Sequence, residues 1–82
     1  MVDRESHLRT ALRHVREGRK YLNTQYEVIA RLRASRLPSE DAERVLEWLI
    51  ETQRGFEDHY RKLLDDVRER NILTGGQDAA AE

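Results

Sequence analysis

Leu37-Pro38-Ser39-Glu40 is the stretch on which the fold turns. The Pro38 ring crowds the residue before it and disfavours helical backbone at Leu37, so a helix arriving from the amino-terminal side ends there. Ser39 can then accept from the free N–H groups of a new helix, whose first turn holds Glu40 and Asp41 at the positive end of the macrodipole. The break separates two helices, and so short a connection folds them back antiparallel.

Upstream of the break, Leu8, Ala11, Val15, Gly18, Leu22, Gln25, Ile29 and Leu32 recur at three- and four-residue steps and share one helix face. Leu12, Tyr21, Tyr26 and Val28 flank that line, and Asp3 is placed to cap the first turn. Downstream, Ala42, Leu46, Leu49, Gln53, Phe56, Tyr60, Leu63 and Val67 repeat the same spacing, flanked by Val45, Trp48, Ile50 and Leu64. Paired glycines and little apolar content mark Thr74 to Glu82 as a flexible tail. The sequence predicts a hairpin over residues 1–73, with helix one at 4–35, a turn at 36–39 and helix two at 40–71, followed by the tail at 74–82. The fold class is all-α, an antiparallel two-helix hairpin of coiled-coil type.

Composition agrees with that reading and narrows the function. Charged residues make up 38% of the chain and hydrophobic ones another 38%, the balance of long surface helices and not of sheets. Residues 1–37 carry nine Arg or Lys against four Asp or Glu, whereas residues 38–82 carry six against twelve. A net charge of −1 therefore hides a basic helix followed by an acidic one. The absence of cysteine rules out a disulfide framework, cysteine-ligated zinc and a thiol nucleophile. No apolar run approaches the roughly 20 residues of a membrane span and the amino terminus has no apolar signal region, so the expectation is a soluble cytoplasmic protein with no membrane partner.

Equal rise on two antiparallel helices places residues whose numbers sum to about 75 at one height. Leu22 is then expected opposite Gln53, Val15 opposite Tyr60, and Gly18 level with Gly55 and Phe56. Each mid-helix glycine costs about 1 kcal/mol relative to alanine, which suggests a close crossing or a pocket for the Phe56 ring. Gly55 reads equally well as a surface glycine. Gln25 and Gln53 stand in phase on the seam, where buried amides can fix register.

His7-Leu8, Ala11, His14-Val15, Glu17-Gly18, Leu22, Gln25, Ile29 and Leu32 follow the pattern HLxxAxxHIxEGxxxIxxQxxxIxxL. In this the chain resembles a group of small proteobacterial helical-hairpin proteins, and the likeness continues through Ala42, Leu46, Leu49 and His59 to Arg61. It departs at the turn, where Leu37-Pro38 replaces the glycine of the pattern. The resemblance implies a helical hairpin and no particular activity.

Candidate chemistry is sparse. His14, Glu17 and His59 are the one conceivable metal set, but the Glu-x-x-His pattern of carboxylate metal bundles is missing. The serines and threonines have no cleft-forming scaffold, so no enzyme and no cofactor are expected. Arg9, Arg13, Arg16 and Lys20 form a stripe away from the seam that could follow phosphates, which makes a nucleic-acid-associated regulator the alternative function.

The preferred expectation is assembly. Two helices leave much apolar surface wet, and Trp48, Val45, Ile50, Leu64, Tyr21 and Tyr26 are the residues a second hairpin or helical protein partner would cover. Intrahelical pairs Glu40–Arg44, Glu57–Arg61, Asp58–Lys62 and Asp66–Arg70 are expected in helix two. Arg13, Arg16, Arg33 and Arg36 lack such partners and are available to Glu47, Glu51 or Asp65 of another subunit. The predicted molecule is a homodimeric four-helix bundle serving protein interaction or regulation.

Overall fold

The computed structural model describes residues 4–70, which form two helices, α1 (Arg4–Ala34) and α2 (Glu40–Arg70), packed side by side as an antiparallel pair. The expected cap at Asp3 and tail at 74–82 lie outside the described residues. Each helix has 31 residues, a length of about 46 Å at 1.5 Å rise per residue. The all-α hairpin predicted from the sequence is the fold observed.

The connection is built by backbone hydrogen bonds. Leu37 N–H donates to the Leu32 carbonyl at 2.8 Å and Arg36 N–H to the Arg33 carbonyl at 3.1 Å. These are the two bonds of a Schellman motif, which satisfies carbonyls the ending helix leaves free. The motif requires a left-handed residue, and here it is Arg36, with φ of 58°. Glycine is the usual occupant because it has no Cβ to crowd the carbonyl.

On the far side of the connection, Glu43 N–H donates to the Ser39 carbonyl at 2.9 Å, opening α2. The Ser39 hydroxyl donates to Glu43 Oε2 at 3.1 Å, and the other Glu43 oxygen pairs with Arg33 at the end of α1. Arg33, expected to serve another subunit, is instead engaged within its own chain. Similarly, Arg44 and Arg61 pair with Asp41 and Asp58, three residues before them, and not with the acids four residues away.

All sixteen predicted seam positions are drawn out of full solvent exposure. Ala11, Val15, Ile29 and Gln53 are buried, and the other twelve are half-buried. The heptad spacing of the sequence therefore marks the helix contact correctly along the whole pair.

Local register departs from the equal-rise expectation by about one helical turn or more at several seam contacts. Gln53 packs on Gly18, one helical turn from the Leu22 expected opposite it, and a Cβ built on Gly18 would overlap Gln53 Oε1. A bulky amide settles where the facing helix offers a missing side chain, and its Nε2 donates 2.8 Å to the Val15 carbonyl. Gln25 makes the reciprocal bond, donating 2.8 Å to the Ala42 carbonyl of α2. The space at Gly18 is thus filled by an amide, and the Phe56 ring rests against His14 instead, with centroids 5.2 Å apart. Val15 and Tyr60, paired by the same estimate, do line one groove together.

Candidate functional site

Six large apolar side chains remain exposed among the described residues, led by Tyr21 at 64% and Trp48 at 63% exposure. Both border a groove of about 330 Å³ floored by Gly18, Leu49, Gln53 and Phe56. A second groove lies between Leu12 and Arg19 of α1 and Glu57, Arg61 and Leu64 of α2.

Helix arithmetic puts the two grooves on opposite flanks of the hairpin. Tyr21 follows Leu12 by nine residues and Leu64 follows Trp48 by sixteen, rotations that leave each pair about 160–180° apart at 100° per residue. The flanks differ in chemistry. On the first, α1 presents the heptad row His14, Tyr21 and Val28, and α2 presents Val45, Trp48, Thr52, Gly55 and His59. None of these eight positions is Arg, Lys, Asp or Glu, and the charged residues Glu17 and Arg31 of α1 stand at the outer rim of the flank. On the second, the rows are Leu12, Arg19 and Tyr26 on α1 and Ile50, Glu57 and Leu64 on α2, with Arg61 at the rim.

The six predicted partner-surface residues divide between the two flanks. Trp48, Val45 and Tyr21 share the uncharged flank. Ile50, Leu64 and Tyr26 belong to the charged one, because Trp48 and Ile50, though close in sequence, point about 160° apart around α2. Val45 is 46% and Tyr26 54% exposed, whereas Ile50 and Leu64 are half-buried. Leu49 and Phe56, placed on the seam by the sequence, also wall this groove, and Thr52 is the lining residue the sequence did not single out. The signal that identifies this flank is the row at 45, 48, 52, 55 and 59, which repeats the seam's three- and four-residue steps with an offset of one position.

Arg9, Arg13, Arg16 and Lys20 are all exposed and none forms an ion pair among the described residues. They run along the outer edge of α1, away from α2. Of the one conceivable metal set, His14 is half-buried against Phe56 while Glu17 and His59 are exposed. Among the described residues, no group of three His, Asp or Glu side chains is placed to hold an ion. No described helix is long and apolar enough to cross a membrane.

No protein-family model, curated protein or solved structure matches this chain.

Proposed function

We propose that this protein is a non-catalytic interaction module that self-associates, two hairpins pairing into a four-helix bundle. The observation that carries the reading is the flank bearing Trp48 and Tyr21, where two exposed aromatic side chains border an apolar groove whose lining residues carry no charge. Interface centres are depleted in charge and enriched in aromatic residues, whereas solvated helix faces have the opposite composition. The uncharged rows are about 21 Å long and two helices wide, roughly 400 Å², the centre of an interface whose rim would extend along the rest of the helices toward about 800 Å² per partner, as in stable complexes.

Sedimentation equilibrium over a concentration series tests the proposal, the expected result being a reversible dimer. Trp48→Ala should raise the dissociation constant by about tenfold or more, as removal of a central aromatic anchor does. A monomer at every concentration overturns it.

A second reading, a nucleic-acid-associated regulator, is favoured by the four exposed cations Arg9, Arg13, Arg16 and Lys20. These lie on the outer edge of the hairpin, clear of the uncharged flank, so phosphate contact and self-association do not compete for surface. Titration of mixed-sequence duplex DNA at two salt concentrations tests it. Salt-sensitive binding that is lost when the four residues are neutralised supports a phosphate stripe.

A further inference from the structure

We propose that the partner on the uncharged flank is a second copy whose α2 lies antiparallel on α2, with the two-fold axis beside Thr52, so that each Trp48 indole covers Gly55 of the partner subunit. This rests on the self-association proposed above and specifies its geometry. Gly55 supplies the first argument. A Cβ built on it meets nothing within 4 Å, so no packing inside the hairpin accounts for a glycine that costs a helix interior about 1 kcal/mol. It stands one heptad after Trp48 and therefore on the same row.

A two-fold near Thr52 sets residues whose numbers sum to about 104 opposite each other along antiparallel helices of equal rise. Trp48 then meets the partner subunit's Gly55, a large side chain over an absent one, which is how close-packed layers interdigitate. Val45 meets the partner subunit's His59. At the margins of the uncharged row, Asp41 comes level with the partner subunit's Lys62, joining opposite charges where the rim reaches solvent. Sliding the axis by half a heptad removes both matches.

The same axis suits α1. Tyr21 lines the same groove as Thr52, and the Gly18–Gln53 contact puts it within about a turn of Thr52 in height. A two-fold passing both sets the Tyr21 side chains of the two copies together and places His14 across from the partner subunit's Val28. Each helix thus meets its own copy, antiparallel, and all four neighbours in the bundle run in opposing directions.

The cysteine-free sequence makes the geometry directly readable. Thr52→Cys and Arg54→Cys are each introduced alone, mildly oxidised, and resolved on non-reducing gels, with sedimentation and circular dichroism on the same samples. The expected result is covalent dimer from Thr52→Cys and none from Arg54→Cys, which points away from the flank. Gly55→Leu, whose side chain occupies the space meant for the indole, should remain helical and lose the dimer. A dimer in which Thr52→Cys fails to cross-link, or which survives Gly55→Leu, overturns this geometry and leaves self-association standing. A monomer under all conditions overturns both.

Discussion

Arg36 holds a left-handed backbone at the end of α1 and pays no attention to the usual preference for glycine there. Arg36→Gly keeps both hydrogen bonds of the connection and removes the Cβ crowding, so hairpin stability should rise by about 1 kcal/mol, measurable by denaturant unfolding. The two mid-helix glycines make an opposed pair. Gly18→Ala drives a methyl group into the Gln53 carboxamide and should destabilise by about 1 kcal/mol, because the amide must swing aside and give up its bond to the Val15 carbonyl. Gly55→Ala meets open space within the chain. In dilute solution, where the hairpin stands alone, it should therefore gain about 1 kcal/mol from helix propensity. Thermal melts of both variants at one low concentration check the difference in sign. The sequence alone could not separate these glycines, since both interrupt helical runs and only the facing helix shows which one is filled.

Between the two helices, the reciprocal bonds of Gln25 and Gln53 link side chains to backbone carbonyls across the seam. They are unequal in surroundings. Gln53 is 4% exposed and its Oε1 has no hydrogen-bond partner, whereas Gln25 is only half-buried. Gln53→Ala removes the filling of the Gly18 gap as well as a bond, and should cost about 2 kcal/mol against about 1 kcal/mol for Gln25→Ala, as chemical denaturation would read. The seam itself was legible because a heptad repeat records which side of a helix is buried, and every seam residue from Leu8 to Val67 is withdrawn from solvent. What spacing did not record is rotation beyond the seam. Trp48 and Ile50 are neighbours in the chain and belong to different flanks of the hairpin. The partner of Gln53 was also hidden, because equal rise treats every position as the same size and the amide instead sought the one position without a side chain. Arg33 escaped for a related reason, its reach across the connection to Glu43 depending on a turn geometry that pairwise spacing within one helix leaves out.

Among the described residues, Ala11, Val15 and Ile29 are the only apolar ones buried, a small core for two helices of 31 residues each. Stability drawn from a second copy obeys mass action, so the thermal midpoint should climb as protein concentration rises. Circular dichroism melts across a hundredfold range, about two decades, check this, and a concentration-independent midpoint counts against assembly. The contrast between the two flanks has one more consequence. Were both equally bare of charge, each added hairpin would offer a fresh landing place and stacks would grow into open-ended fibres. The Arg19, Glu57 and Arg61 side chains bordering the second groove keep that flank hydrated, so the association proposed above would close at two copies and not run on into a polymer.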